Sequence, residues 1–177
     1  MMNLNEITIK KNYVYNGKII NVRSDDALLP NGKPCKREVV EHPGGVCVAA
    51  INEKNQIIFV KQYRYPYGKI ILEVPAGKLE KGEDPLECGK RELKEETGAE
   101  ADYYFSLGEL YPTPGYCGET IYMFGAKIKS IDIPSPDEDE FVETIAIDID
   151  KAVEMVKNGE IKDAKTQICV LKMNLFI

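Results

Sequence analysis

Six consecutive residues, Val46-Cys47-Val48-Ala49-Ala50-Ile51, are apolar on both alternating faces. Successive side chains of a strand point to opposite sides of its sheet, so a strand with no polar face suits a sheet covered on both sides. Other β-type runs at residues 37–41, 56–63 and 70–74 surround it, at the spacing of an antiparallel or mixed sheet with 46–52 at its centre. Helices must supply the cover, and three are readable. Asp84-Pro85 is an N-cap followed by a first-turn proline and Gly98 is a stop, which predicts a helix over 85–97. Asp148 or Asp150 can cap a second helix that Asn158-Gly159 ends, and Asp163 a third that runs to the C-terminus.

Turn chemistry completes the outline. Asn16-Gly17 predicts a tight hairpin and Leu29-Pro30-Asn31-Gly32 a second turn, so the N-terminal part reads as a β extension. Residues 104–110, 120–128 and 141–147 read as further strands, with an acidic, proline-containing loop at 130–140. The expected class is α/β, a mixed β-sheet sandwiched between α-helices. A chain of 177 residues can bury roughly 70% of its unfolded surface around one core.

Charge and cysteine usage narrow the function. The net charge of −6 argues against a diffuse grip on nucleic acid, so a polyanionic ligand would be held by a few placed cations or by metal. The longest apolar runs fall far short of the roughly 18 residues of a membrane span. The start, MMNLNEITIKK, lacks the pattern of a signal peptide, so the expected location is cytoplasmic. Cys35, Cys47, Cys88, Cys117 and Cys169 are odd in number and form no CxxC pair, as expected of reduced, mostly buried cysteines.

Chemistry concentrates between Gly77 and Ala99. On the helix over 85–97, Glu92, Glu95 and Glu96 stand at i, i+3 and i+4 and project from one face. Three clustered carboxylates repel unless a cation sits among them, and oxygen clusters of this kind suit Mg²⁺ or Mn²⁺. A solvated acidic face is the bland alternative. Arg91, four residues from both Glu87 and Glu95, can orient an acid instead of binding substrate. Gly89 sits mid-helix at a cost of about 1 kcal/mol relative to Ala, which either close packing against the sheet or simple tolerance would explain.

Gly77, Glu83, Arg91, Glu92, Leu93, Glu95, Glu96 and Gly98 match the pattern GX5EX7REUXEEXGU, with only Ala99 small for its aliphatic slot U. Seven fixed positions at average usage give a chance match on the order of 10⁻⁸ per start point. The sequence thereby resembles the Nudix hydrolases. That resemblance implies hydrolysis of a nucleoside diphosphate linked to another group, with metal bound by Glu92, Glu96 and the carbonyl of Ala76, and Glu95 a further ligand or near neighbour. It makes Gly77, Glu83 and Arg91 supporting residues. The lone histidine, His42, makes a histidine-dependent mechanism improbable and reads as structural, beside Pro43-Gly44-Gly45.

Outside the box, Arg37 to Gly44, Val60 to Pro66, Leu72 to Lys78 and Pro112-Thr113-Pro114-Gly115 with Glu119 look like the ADP-ribose pyrophosphatase branch. Related nucleotide-sugar hydrolases share several of these segments. Arg37 and Arg64 are candidates to pair with the diphosphate, because guanidinium binds phosphate oxygens two at a time; the alternative is an ordinary ion pair. Glu73 and Glu119 could accept hydrogen bonds from ribose hydroxyls or join salt bridges. Tyr13, Tyr15 or Tyr65 could stack on adenine, although an aromatic in a strand more often belongs to the core.

In that branch an acid of the loop at 130–140 closes on the metal site as general base. Glu138 is the first candidate and Glu140 the next, with Asp137 or Asp139 open as alternatives; Glu95 is carried as a catalytic acid as well as a metal ligand. The resemblance further implies a β extension at 1–42 that exchanges across a homodimer, and a hydrolase domain at 43–177. The implied reaction is hydrolysis of ADP-ribose to AMP and ribose 5-phosphate with Mg²⁺, or Mn²⁺ in its place. Another nucleotide sugar or nucleoside diphosphate derivative is the second reading, and a non-catalytic ligand-sensing Nudix module the third.

Overall fold

Alternation along residues 21–28 builds the first sheet: Arg23, Asp25 and Ala27 are buried while their neighbours are not. The computed structural model describes residues 3–137 and 140–176, and these form two compact units, 1–44 with 111–120 and 45–110 with 121–177. The first unit holds β1 (Ile7–Lys10), β2 (Tyr13–Asn16), β3 (Asn21–Leu28) and β4 (Pro34–Glu41), with β3 paired antiparallel to the other three. Charge closes its interior, since Arg23 reaches Asp25 at 3.4 Å and Glu41 at 3.0 Å. The Leu29 to Gly32 turn is present, closed by the Gly32 N–H donating to the Leu29 carbonyl at 2.8 Å. The hairpin at Asn16-Gly17 has a longer loop than the dipeptide suggests: Gly17 donates to Ile20 at 2.9 Å, and the Tyr15 ring lies where a Gly17 Cβ would be, 2.6 Å away.

The second unit is a seven-stranded mixed sheet. Its strands are β5 (Gly45–Ile51), β6 (Gln56–Arg64), β7 (Lys69–Glu73), β8 (Ala76–Lys78), β9 (Ala99–Leu110), β10 (Ile121–Ile131) and β11 (Val142–Asp148). The path runs β11-β6-β5-β10-β9, with β7 added to β6 and β8 to β5; β5 and β10 are parallel and the other pairs antiparallel. Every residue of β5 is buried, as expected of a strand without a polar face. The alternation sorts its side chains. Cys47, Ala49 and Ile51 pack with Ala152, Val153, Cys169 and Met173 of α2 (Ile149–Lys157) and α3 (Ala164–Phe176). Val48 and Ala50 pack with Leu93 of α1 (Pro85–Thr97) on the other face. Truncating a fully buried leucine such as Leu93 to Ala costs about 2–5 kcal/mol in such a setting.

The helix signals act as their chemistry demands. Asp84 accepts from the N–H groups of Leu86 (2.9 Å) and Glu87 (3.1 Å), and Gly98 ends α1 in the left-handed region at φ +70°, where an L side chain would be strained. Asp148, not Asp150, caps α2, and Asp163 accepts from the Thr166 N–H at 2.9 Å to start α3. Gly89 has a packing reason: a Cβ there would stand 3.1 Å from both Val46 and Val48, so glycine lets α1 lie close on β5. Strand β9 starts at Ala99 and not at 104, because its pairing with β10 continues past the polar residues Glu100 and Asp102 to Ala99–Ile131. No described helix is long and apolar enough to cross a membrane.

Candidate active site

Glu92 and Glu96 stand one turn apart on the face of α1 turned inward, at 7% and 2% exposure. Strand β8 passes beneath them. A Cβ on Gly77 would lie 1.9 Å from Glu92 Oε1, so glycine is required for the carboxylate to occupy its place against the strand. The neighbouring Ala76 N–H donates to Glu96 Oε2 at 3.0 Å. Two adjacent β8 residues therefore meet the two buried carboxylates of the box.

Counter-charge is scarce there. Burial raises the Glu92 carboxyl; Arg91 pulls it down, but the charges of Glu140 and Glu95 add to the rise. Burial likewise raises Glu96, the Ala76 N–H opposes it, and the charges of Glu92 and Glu140 lift it further, to about 8. Glu95 is turned instead to Arg91, whose Nη1 lies 2.9 Å from Glu95 Oε2 and 2.9 Å from Glu92 Oε1. The same guanidinium grips Glu83 through Nε at 3.1 Å, and this bond with the Glu80 N–H holds the Glu83 carboxyl down at about 2. Arg91 thus orients three acids; Glu87, the other candidate partner, pairs with Lys90 at 2.6 Å.

Among the described residues no three His, Cys, Asp or Glu side chains converge as a ready metal cage. The Glu92–Glu96 pair nonetheless fits a hard divalent cation: its donors are carboxylate oxygens, and burial with mutual repulsion leaves it short of positive charge. Nudix hydrolases generally use divalent metal ions, and these donors are of the matching kind.

The loop after β10 is tied to the end of α1: Asp132 donates to Gly98 O at 2.8 Å and Ser135 to Glu95 O at 2.9 Å. Glu138 and Asp139 lie outside the described residues. Asp137 accepts from the Glu140 N–H at 2.9 Å, and among the described acids of this loop it is Glu140 whose charge reaches both Glu92 and Glu96. A cavity of about 540 Å³ lies beside it, lined also by Lys61, Tyr63, Ile70 and Phe141.

Arg64 and Glu73 are brought together as a bidentate pair, Nε to Oε1 at 2.6 Å and Nη2 to Oε2 at 2.7 Å. Glu73 is 2% exposed and ends β7. Burial pushes its carboxyl up, but the Arg64 hydrogen bond and the charges of Lys165 and Arg64 outweigh that and leave it below the usual carboxylate range. Lys165 was not singled out by sequence reasoning. A cation in the first turn of a helix opposes the helix dipole, and that misfit was the available signal.

Arg37 and Glu119 belong to the N-terminal unit and are paired within it. Arg37 makes two bonds to Glu6, at 2.8 and 2.6 Å. Glu119 Oε1 lies 3.4 Å from His42 Nδ1, which accepts from the Gly44 N–H at 3.2 Å. Tyr13, Tyr15 and Tyr65 are all exposed, so none of them is the core aromatic that a strand position suggests.

A family model described as NUDIX domain matches residues 41–166, across β5, the box helix and the start of α3. The chain belongs to the Nudix hydrolase family. It is a Nudix pyrophosphatase by that membership and by its relatives, and a second model, described as nucleoside diphosphate sugar hydrolase N-terminal domain, matches residues 6–40. The methanol dehydrogenase activator of Bacillus methanolicus is 44% identical over 172 residues, 96% of this chain and 93% of that protein. The ADP-ribose pyrophosphatase of Bacillus subtilis is 42% identical over 177 residues, 99% and 96% of the two chains. A GDP-mannose pyrophosphatase of Yersinia enterocolitica is 33% identical over 175 residues, 84% of this chain and 91% of that one.

Proposed function

We propose that this Nudix enzyme is a divalent-metal-dependent hydrolase that cleaves the diphosphate of ADP-ribose to AMP and ribose 5-phosphate. The observation that carries the reading is the buried Glu92–Glu96 pair on the box helix, in which Arg91 reaches Glu92 but no described cation bonds Glu96. The nearly full-length likeness to an ADP-ribose pyrophosphatase supports the choice of nucleotide.

In this reading Glu92, Glu96, Glu95 and the Ala76 carbonyl hold Mg²⁺, or Mn²⁺ in its place. Such a cation, when bound, neutralises phosphate charge and makes water a usable nucleophile at neutral pH. Arg91 and Glu83 keep the acids oriented, and Gly77 keeps β8 clear of Glu92. Arg64 binds phosphate oxygens, with Arg37 as a second cation, while Glu119 is the candidate partner of the ribose hydroxyls and Glu73, with both oxygens bonded to cations, takes its alternative role as a salt-bridge partner. Glu138, or Glu140 after it, takes the proton of the attacking water as its oxygen bonds to phosphorus. The bond from that phosphorus to the bridging oxygen then breaks, and two phosphate monoesters leave.

The same reading divides the chain into an extension at 1–42 and a hydrolase domain at 43–177, with the extension exchanged in a homodimer. Exposed apolar side chains on and beside β1 and β2, namely Leu4, Ile7, Ile9, Val14 and Ile19, support a partner there. Five free cysteines support a cytoplasmic setting.

The GDP-mannose pyrophosphatases among the relatives favour another nucleotide sugar as the second reading. A panel of nucleoside diphosphate derivatives with Mg²⁺ or Mn²⁺, scored by product identity, separates the cases. The proposal expects AMP and ribose 5-phosphate, with the highest kcat/KM on ADP-ribose. A preference for GDP-mannose would overturn the substrate assignment. Tight binding without product would move the chain towards a ligand-sensing or enzyme-activating role, which the name of the Bacillus methanolicus relative also makes worth testing.

A further inference from the structure

Four charges meet at the start of α3, and none of them belongs to the box. Glu73 is gripped by Arg64 on one side, and on the other Lys165 Nζ bonds its Oε2 and stands 3.1 Å from Asp163 Oδ2. Asp163 accepts from Thr166 Oγ1 at 2.6 Å, and Thr166 Oγ1 accepts from the Val74 N–H at 2.9 Å. Glu73 and Val74 are thus fixed to α3 through side chain and backbone in succession. Two residues further on, the Ala76 N–H holds Glu96. The Lys165 side chain is only 12% exposed and that of Glu73 3%, whereas that of Arg64 is 38% exposed. The network is therefore closed at its α3 end and open at Arg64.

We infer that Lys165 is a positioning residue for the substrate diphosphate: it anchors Glu73 from behind, so that Glu73 holds the Arg64 guanidinium in one orientation. The inference rests on the reading of Arg64 as a diphosphate contact. A long arginine side chain loses rotamer freedom when a ligand orders it, and a carboxylate fixed by a second cation removes that freedom in advance. With Lys165 gone, Glu73 is tied only to the partner it must orient. Arg64 is then ordered at the expense of substrate binding. Glu92, Glu96 and the acidic loop are untouched, so the loss falls on KM and not on kcat.

The test is steady-state kinetics on ADP-ribose with Mg²⁺, with thermal melts alongside, for Arg64→Ala, Glu73→Gln, Lys165→Met and the double variant Glu73→Gln/Lys165→Met. Lys165→Met is expected to raise KM about fivefold, less than the roughly tenfold of Arg64→Ala, on the scale of a weakened and a lost charge-assisted hydrogen bond, with kcat nearly unchanged. Because Lys165 acts through Glu73, the double variant should have the KM of Glu73→Gln alone. A KM that rises further in the double variant, or a wild-type KM in Lys165→Met, overturns the inference. If Lys165→Met alone does not fold, the double variant, in which the buried carboxylate is neutralised, gives the answer by comparison with Glu73→Gln. Should Arg64→Ala keep the wild-type KM, the reading of Arg64 falls and the inference with it. Should Arg64→Ala raise KM while Lys165→Met does not, only the role of Lys165 falls.

Discussion

Glu73 and Glu96 are equally hidden from solvent, each at 2% exposure, yet their carboxyls are driven in opposite directions. Burial raises both. At Glu73 the Arg64 hydrogen bond and the charges of Lys165 and Arg64 overcome it. At Glu96 a single backbone N–H and a weaker influence of Arg64 do not, and the charges of Glu92 and Glu140 push the same way as burial. What separates the two sites is the counter-charge that the chain itself supplies. The set around Glu73 is completed by the fold, whereas Glu96 has no described cation bonded to it, which is where the proposed metal would act. Such imbalance is costly for stability and useful for binding.

The largest effect should come from neutralising the unbalanced site. Glu96→Gln, and similarly Glu92→Gln, is expected to lower kcat by about 10³ or more while the circular dichroism spectrum stays that of the wild type, because a charge that holds metal is lost at nearly constant shape. Near-normal turnover at moderate Mg²⁺ would show that these acids do not hold it.

The next effect concerns the loop whose charge already bears on Glu92 and Glu96. Single Gln or Asn variants at Asp137, Glu138, Asp139 and Glu140 should include one that lowers kcat by about 10² or more, the scale of a lost general base, with metal affinity little changed. Full kcat in all four would return the role of base to a box carboxylate.

Stability should separate the two sites in the absence of metal. Glu73→Gln breaks a completed buried network and is expected to cost about 3 kcal/mol in denaturant unfolding with chelator present. Glu96→Gln replaces a carboxyl that no described cation bonds and that burial already holds largely protonated at neutral pH, so it should be neutral or stabilising under the same conditions. Equal losses at both positions would erase the contrast.

The smallest effect is in acid. Glu83 has its carboxyl held at about 2 by Arg91 and the Glu80 N–H. A depressed folded-state pKa means that the stabilisation is present above the unfolded value of about 4.3 and fades as pH falls below it. The difference in Tm between wild type and Glu83→Gln should therefore shrink as pH falls from about 5 to about 3. A difference independent of pH would assign Glu83 a packing role instead.

The parts of this fold that could be read from the sequence are those with local causes. The caps Asp84, Asp148 and Asp163, the stop at Gly98 and the two-faced run 46–51 each act through neighbours in the chain, and the structure has them where the sequence puts them. Glu92, Glu95 and Glu96 were legible as one helical face, and Arg91 as a partner one turn from Glu95, but not that Gly77 made room for Glu92. That outcome depends on β8 crossing beneath α1. Lys165 was missed for the same reason, since its partner Glu73 is 92 residues away. At Asn16-Gly17 the hairpin is present, but its loop is longer than the dipeptide suggests, and the Tyr15 ring packed where a Gly17 Cβ would be was not legible in the turn residues.

The central claim, that the Glu92–Glu96 pair is completed by a divalent cation whereas the Glu73 network needs none, is tested most directly by calorimetric titration of Mg²⁺ or Mn²⁺ without substrate. Wild type and Glu73→Gln should bind the ion with similar affinity, and Glu96→Gln at least about tenfold more weakly. Equal affinity in wild type and Glu96→Gln, or a loss confined to Glu73→Gln, would contradict it.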